Sequence, residues 1–523
     1  MEKLLKQYSV SIFAKMMFCI VTYGLMMNQF LFNRQDGIWE GTYHLAGDWD
    51  LSLGRWAIRY LDILHFGISV HPFSTILTLL LFVVGTCFLI DLFQIRIGSV
   101  FDYLISGVFL GNMVICASLS YLYYSNTYGL SFLLSMLSVW LIQKGAQQFT
   151  ALKSKKKWRA CGWFIGSTAC IAVILGLYQA YLGCIILTAL FFLVYLLYRR
   201  VPLVHIKNYI VGGGMTGIGG AVIYELILNV ELSRYGVEMS SYNGANTLSL
   251  ENIISNLGMS VRKAYEIYFN YFSGKGSKWN LFAGDNLFLL LMVMCLLVTI
   301  IMWLTQKEVL NVISALLVMF LIPIAANIVV ILIPTSAYQE WQTAPCALVI
   351  PLVMCILVKQ ICELNFLKLR KMLKTALLSI SLVIMWGSLY QTQIDQEALR
   401  QGTIAAQTMG QSILSTLYDR NMYSADQKYA VIGVPCNNSM VQLNEIYYKS
   451  NSYARITGEY WNSSLDLRTW KGIFAHLCGV NLSVCSDSDY NNLLVDQRVL
   501  EMPIFPAEGS IQEVDGIVVI HVS

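Results

Sequence analysis

The sequence predicts a mostly α-helical, polytopic membrane protein of about eleven transmembrane helices that ends in an extracytoplasmic α/β domain. Hydrophobic residues make up 56% of the 523 residues and charged residues only 13%, about half the charged fraction of a soluble domain. The apolar residues fall in runs of about 20, the length at which a helix crosses roughly 30 Å of hydrocarbon. These observations exclude a cytosolic globular protein, and a net charge of only +4 offers no basic surface for a nucleic acid.

Hydropathy windows of about 19 residues place eleven spans along the chain. They cover residues 10–33, 72–92, 100–119, 127–143, 160–178, 181–198, 208–229, 286–304, 309–333, 344–362 and 376–394. One alternating set of connections carries eighteen Lys and Arg residues, whereas the short loops of the other set carry three. Because short cytoplasmic loops carry the excess of Lys and Arg, we expect a cytoplasmic N-terminus and an outer C-terminus. The first run is too long for a signal-peptide core, so we expect no cleavage there.

The spans predict two domains, a transmembrane domain of residues 1–394 and an extracytoplasmic domain of residues 395–523. Two outer loops are too long to be simple connections, namely residues 230–285 and residues 34–71, which we call the site loop. In the tail we expect a helix at 395–418, followed by short strands such as 429–434 and 517–522. Cys478 and Cys485 lie in this polar tail, and a disulfide between them stays open.

The site loop concentrates charge in a chain that is otherwise poor in charge. Four carboxylates, two arginines and three tryptophans lie between Arg34 and Trp56. The carboxylates are Asp36, Glu40, Asp48 and Asp50, and the tryptophans are Trp39, Trp49 and Trp56. Carboxylates can deprotonate a hydroxyl, tryptophan faces can pack on a sugar ring, and arginine can hold a phosphate through paired hydrogen bonds. The alternative is that these residues only anchor the helix ends at the membrane interface.

Apolar residues recur at helical spacing from Leu51 to Phe66, which predicts a short helix lying in the interface. Arg55 and Arg59 are four residues apart, so we expect them to share one face of this helix. Asp48-Trp49-Asp50 also matches the two-aspartate pattern that holds a divalent metal in nucleotide-sugar transferases. Nucleotide sugars are cytoplasmic, whereas this loop is predicted on the outer side of the membrane. A metal site of the nucleotide-sugar type is therefore not the favoured interpretation, and the sequence establishes no cofactor. A Mg²⁺ or Mn²⁺ ion held by carboxylates and waters stays open as an alternative.

Two outer turns carry polar or aromatic residues that we expect to face the same cavity as the site loop. One turn contains Tyr178, Gln179 and Tyr181, and the other spans residues 121–128 and is rich in tyrosine. Interfacial tyrosine belts are the alternative. In the seventh span, Gly213 and Gly217 form a G-x-x-x-G pair, which predicts close helix packing and not a phosphate-binding loop.

Taken together, these segments resemble the GtrII-type glucosyltransferases, multi-span bacterial proteins related to the enzymes that glucosylate O-antigen. The resemblance rests on Asp36-Gly37, Trp49-Asp50-x-x-Leu53-Gly54-Arg55-Trp56, Tyr178-Gln179-Ala180-Tyr181, and tail segments at 456–458, 469–474 and 502–511. It implies a GT-C-type fold with an acidic residue in the first outer loop. It also implies transfer of glucose, or a similar hexose, from a polyprenyl-phosphate donor to an envelope glycan outside the bacterial plasma membrane.

With this chemistry, Asp36 is the expected general base, and Asp50, Asp48 or Glu40 orients it or the donor sugar. Arg55, together with Arg59, is expected to bind the lipid phosphate. The three tryptophans, Tyr178, Gln179 and Tyr181 are expected to contact sugars. One alternative is a transporter or flippase of lipid-linked sugars, although the spans carry few charges for that role. Another is an assembly factor that binds glycan without chemistry.

Overall fold

The structure is a computed structural model that describes residues 2–29, 31, 41–151, 158–273, 290, 293–301, 309–333, 340–433, 438–442, 445–455 and 467–523. In this part, seven helices are long and apolar enough to cross a membrane. They are Phe73–Leu92, Leu122–Ala151, Trp158–Leu177, Gln179–Tyr198, Leu203–Tyr235, Ala344–Cys362 and Leu367–Asp419. Helices Val100–Leu110 and Met113–Ser120 meet at 50° and form an eighth span if they are counted together. The chain is therefore a mostly helical membrane protein, and the predicted count of eleven spans is not confirmed.

Further helices in the described part of the chain do not meet these criteria for a span. They are Glu2–Thr22, Gly24–Asn28, Asp48–Ser52, Trp56–Leu64, Leu250–Ser273, Val309–Ala326, Ile328–Leu332, Ser439–Gln442, Glu445–Tyr453, Leu467–Gly472, Asp487–Leu493 and Gln497–Leu500. Tight 3₁₀ turns occur at Gln179–Tyr181, Tyr242–Thr247 and Glu340–Thr343. Three of the predicted spans (10–33, 286–304 and 309–333) correspond to shorter helical pieces or extend beyond the described residues.

Helix Leu122–Ala151 lies at the centre of the bundle and contacts helices Phe73–Leu92, Trp158–Leu177 and Leu203–Tyr235. Its Phe132 ring stacks on the Phe109 ring at a centroid distance of 4.5 Å. A Cβ atom at position 85 would lie 2.6 Å from the Phe132 ring, so only glycine allows the two helices to approach this closely. Nearer the site loop, the Thr78 hydroxyl donates to Asn126 Oδ1 at 2.9 Å, which ties the start of helix Phe73–Leu92 to the tyrosine-rich turn.

The glycine-rich helix Leu203–Tyr235 packs closely against a neighbouring helix, as predicted. The glycines that make this contact are not the predicted pair. A side chain at Gly212 would overlap the Phe164 ring, and a Cβ atom at Gly220 would lie 2.6 Å from Ile171. Gly217 has no atom within 4 Å of such a position, so the pair Gly213 and Gly217 is not the contact. The glycines that make the contact are eight positions apart, close to two helical turns, and both face helix Trp158–Leu177.

A buried ion pair joins the first helix to the bent span. Lys15 Nζ lies 2.7 Å from Asp102 Oδ1, and both side chains are almost fully buried. The Ser11 hydroxyl and the Gly98 N–H also donate to the Asp102 carboxylate, each at 2.8 Å. Both charges are thus compensated within the protein, as buried charges must be.

One helix of 53 residues, Leu367–Asp419, contains both the last predicted span, 376–394, and the predicted tail helix, 395–418. The helix is continuous because no proline and no pair of adjacent glycines separates its apolar run from the polar, helix-favouring residues that follow. We call residues 420–523 the C-terminal region, and described residues of this region pack against the long helix. The Gln407 side chain donates to the Leu477 carbonyl oxygen at 3.1 Å, and Cys478 packs against Gly410.

The C-terminal region contains a three-stranded sheet, as the sequence predicts in part. Strand Lys428–Ile432 pairs in parallel with Ile517–His521, and Ile511–Val514 pairs with the latter in antiparallel orientation. The strand at 511–514 is not predicted from the sequence. Cys478 and Cys485, the pair that the sequence leaves open, are both free thiols in the structure.

Candidate active site

The candidate site is built from the described part of the site loop, which starts at Gly41. Asp36, Trp39 and Glu40 lie outside the described residues, so their predicted roles remain predictions. Asp48, Trp49 and Asp50 form the start of helix Asp48–Ser52, where acidic residues are favoured by the helix dipole. The side chains of Asp48 and Trp49 are exposed, and the Trp49 ring meets the Tyr242 ring at 5.3 Å.

Asp50 is the buried carboxylate of this segment, with only 2% of its surface exposed. The Tyr124 hydroxyl donates to Asp50 Oδ1. His44 Nε2 lies 3.4 Å from Asp50 Oδ2. The carboxylate is therefore oriented from two sides, by the tyrosine-rich turn and by the loop that precedes helix Asp48–Ser52.

Arg55 follows a sharp turn that only glycine permits. Gly54 has a φ of +77°, and a side chain there would overlap the Tyr224 hydroxyl. Gln179 Nε2 donates to the Leu53 carbonyl oxygen at 3.2 Å, and the Arg55 N–H donates to the Asp50 carbonyl oxygen at 3.0 Å. In the structure, Gln179 therefore supports the turn that carries Arg55, and its contact with substrate stays a prediction.

The Arg55 guanidinium lies between two tyrosine rings. Its Cζ is 5.0 Å from the Tyr178 ring centroid and 5.9 Å from the Tyr124 ring centroid. Its Nε is buried and has no hydrogen-bond partner among the residues that the structure describes. A buried donor without a partner is costly, so this guanidinium is suited to receive an anion.

The predicted single helix over residues 51–66 is divided at Gly54 into Asp48–Ser52 and Trp56–Leu64. Arg55 is consequently the N-cap residue of the second helix and lies outside the helix that carries Arg59. Arg59 lies over the Tyr235 ring at 4.0 Å. The positive φ at Gly54 ends the first helix, which explains why the predicted helical phase does not continue.

Trp56, Tyr178 and Tyr181 pack more deeply than open sugar-binding walls. A Cβ atom at Gly176 would lie 2.5 Å from the Trp56 indole, so Trp56 packs on that helix. Tyr178 and Tyr181 are buried against Tyr128, at ring distances of 5.1 and 6.5 Å. Of the predicted aromatic walls that the structure describes, Trp49 is the exposed one.

The model of the family described as Glucosyl transferase GtrII matches residues 41–357, more than half of the chain. The chain belongs to the GtrII glucosyltransferase family. The match begins at the first described residue of the site loop and includes Asp50, Arg55, Tyr124 and Gln179. It confirms the resemblance and supports a glucosyltransferase role. No curated protein and no solved structure matches the chain.

This GtrII protein also places residues at the site that sequence reasoning missed. Asp62 is 1% exposed, and the Ala46 N–H donates to its Oδ2 at 2.8 Å. His44 Nε2 lies 3.9 Å from Asp62 Oδ2, and His65 Nε2 lies 3.6 Å from Asp62 Oδ1. His44 thus lies between two carboxylates, those of Asp50 and Asp62. The sequence did offer one signal for Asp62. It is an aspartate on the same face of helix Trp56–Leu64 as the buried residues Ala57 and Ile58.

No group of three or more His, Cys, Asp or Glu side chains in the described ranges is arranged to hold a metal ion. The described GtrII site contains two buried carboxylates, those of Asp50 and Asp62, with a guanidinium and imidazoles beside them. These groups can orient a hydroxyl, carry a proton and hold a phosphate.

Burial raises the pKa of Asp62 from its ordinary value of 3.8 to about 7. The folded protein therefore binds this proton more tightly than the unfolded chain, and stability should fall as pH rises from about 4 to about 7. Asp62→Asn removes this titration. We expect the free energy of unfolding of the variant, relative to that of wild type, to increase by roughly 2 to 3 kcal/mol when the pH rises from 5 to 8.

Thermal unfolding of the two purified proteins in detergent at pH 5 and pH 8 measures this difference. Glu238→Gln, which removes an exposed carboxylate, is the matched control and should track wild type at both pH values. A difference between Asp62→Asn and wild type that is the same at pH 5 and pH 8 would contradict the assignment.

Proposed function

We propose that this protein transfers glucose, or a similar hexose, from a polyprenyl-phosphate donor to an envelope glycan on the outer side of the bacterial plasma membrane. The proposal rests on one observation, namely that the Asp50 carboxylate and the Arg55 guanidinium both lie beside Tyr124. The Tyr124 hydroxyl donates to the carboxylate, and the guanidinium lies near the same ring. A carboxylate and a guanidinium beside one ring can orient the two ends of a glycosyl transfer, the acceptor and the departing phosphate.

The donor phosphate is assigned to Arg55, with Arg59 as the second cation. The buried, unpartnered Nε of Arg55 supports this role, and Arg59 Nη1 is likewise buried without a hydrogen-bond partner in the described chain. Charge develops on the phosphate as the sugar becomes oxocarbenium-like. A guanidinium already fixed by tyrosine rings stabilises that charge with little reorganisation.

The acceptor hydroxyl requires a base, and we assign this role to Asp36 at the start of the site loop. Asp50, Asp48 or Glu40 would orient the acceptor or the donor sugar. Of these, Asp50 is buried and hydrogen-bonded, whereas Asp48 is exposed. Trp39, Trp49 and Trp56 are proposed to contact the sugars, together with Tyr178, Gln179 and Tyr181.

A lipid-linked donor agrees with the apolar surface around the site loop. Leu64 and Phe66 are 79% and 81% exposed, and Phe73, at the start of the following span, is 71% exposed. Exposed apolar side chains at the end of a membrane helix favour contact with lipid. The excess of Lys and Arg in the opposite connections supports an outer position for this loop and for residues 395–523, the proposed extracytoplasmic domain.

The decisive experiment uses purified full-length protein in liposomes with labelled polyprenyl-phosphate glucose and envelope polysaccharide from a strain that lacks the gene. We expect the label to move to the polysaccharide. Label that crosses the bilayer without joining the glycan would support a flippase, and polysaccharide binding without any loss of donor would support a non-catalytic factor. Either result would refute the transfer proposal.

A further inference from the structure

The C-terminal region contains a cleft of about 430 Å³ that none of the assigned site residues line. Its walls are Lys471, Gly472, Ala475, His476, Gly479 and Asn481. This volume falls within the range of about 300 to 1,000 Å³ that small-molecule sites occupy.

The segment that forms the cleft is anchored on its opposite side. Helix Leu467–Gly472 continues into a π-helical turn, Ile473–Leu477. Trp470, Ile473 and Phe474 are buried, and Trp470 Nε1 donates to the Gly433 carbonyl oxygen at 3.2 Å. The buried face holds the backbone in place, so Lys471 remains exposed on the other face. Single π-helical turns of this kind occur often at functional sites.

The cleft touches the site loop through one side chain. A side chain at Gly41 would overlap the His476 ring, and Gly41 has a φ of +62°. Gly41 directly follows the segment that carries Asp36, Trp39 and Glu40 in the sequence. The His476 ring is therefore shared between the cleft and the described start of the site loop.

The chemistry of the walls selects a hydrophilic ligand. Lys471 supplies an ammonium group, Asn481 an amide that both donates and accepts, and His476 a ring nitrogen of either role. Gly472 and Gly479 have no side chain and Ala475 carries only a methyl group, so these three positions leave room for a sugar ring. Lys471, His476 and Asn481 give such a surface the donors and acceptors that suit the hydroxyl groups of a sugar.

We infer that this cleft binds the glycan acceptor and delivers it to the site loop, with Lys471 and Asn481 as its hydrogen-bonding groups. This inference rests on the proposed function. Of the two substrates in that reaction, the donor carries a lipid tail, and the acceptor is the one whose recognised part consists of sugar rings. The contact between His476 and Gly41 connects the bound glycan to the loop on which the base is assigned.

The test uses full-length protein in nanodiscs and labelled, unglucosylated envelope polysaccharide from a strain that lacks the gene. Equilibrium binding is measured without donor, so that the result does not depend on turnover. Lys471→Ala and Asn481→Ala should each weaken binding about ten-fold, the effect of losing one hydrogen bond that involves a charged or amide group. The matched controls Lys449→Ala and Asn492→Ala, elsewhere in the C-terminal region, should bind as wild type does.

Donor turnover measured over a range of polysaccharide concentrations separates this inference from the proposed function. We expect Lys471→Ala to raise the KM for polysaccharide about ten-fold and to leave kcat and the KM for the donor unchanged. Wild-type binding by both cleft variants, or equal losses in the controls, would overturn the cleft assignment while transfer stands. Weakened binding in the cleft variants together with a wild type that never consumes donor would uphold the cleft and refute the transfer proposal.

Discussion

Asp36→Asn should reduce the rate of glucose transfer about 10²- to 10⁴-fold, the usual contribution of a general base. The variant should remain folded in the membrane. Asparagine keeps the shape of the side chain but cannot take the proton of the acceptor hydroxyl. The measurement is the initial rate of label transfer from polyprenyl-phosphate glucose, with the thermal unfolding temperature as a check on folding.

Two further variants make this result specific. Glu238→Gln removes an exposed carboxylate from the second long loop and should transfer glucose at the wild-type rate. Asp50→Asn tests the alternative base, because the Asp50 carboxylate accepts from Tyr124 and lies beside His44. If Asp50→Asn abolishes transfer and Asp36→Asn retains it, the roles of the two carboxylates are reversed. Full activity in Asp36→Asn removes Asp36 from the mechanism.

Arg55→Lys should lower kcat/KM for the lipid donor about ten- to one-hundred-fold, the value of one or two charge-assisted hydrogen bonds. Lysine keeps the positive charge but lacks the planar fork that holds a phosphate through paired donors. It also loses the flat contact with the Tyr178 ring, from which the Arg55 Cζ is 5.0 Å. The measurement is turnover against donor concentration at saturating acceptor.

The matched control for this substitution is Arg234→Lys. Arg234 lies over the Tyr235 ring at 5.4 Å, so the same chemical change is made beside a tyrosine near the site. We expect wild-type use of the donor in this variant. Equal donor kinetics in Arg55→Lys and Arg234→Lys would show that Arg55 does not bind the phosphate.

Much of the fold could be predicted because the apolar runs are long and uniform. The span predicted at 344–362 coincides with helix Ala344–Cys362, since length and hydropathy alone set its limits. The long helix was divided at residue 394 because a change from apolar to polar residues marks a membrane boundary and not a helix end. The glycine contacts were misplaced for a different reason, namely that the face of a helix that meets a neighbour depends on the neighbour.

Sequence separation does not explain which residues near the site loop were anticipated, because Asp62 lies only seven residues after Arg55 and was still missed. Asp50 and Arg55 are close together in one segment, so the sequence alone indicates that they are neighbours in the structure. Asp62 belongs to the site only because the turn at Gly54 brings helix Trp56–Leu64 back toward His44. A left-handed residue between two short helices resets the helical phase, and sequence periodicity does not show that reset.

The unbroken helix Leu367–Asp419 sets the rotational register of the C-terminal region. Each residue of an α-helix advances the chain by about 1.5 Å and turns it by about 100°. One residue inserted after Gln391 would turn Gly410, together with the Cys478 that it contacts, by about 100° and carry His476 off Gly41. The length of this rod, counted in whole turns, is therefore as much a requirement for assembling the protein as any side chain on it.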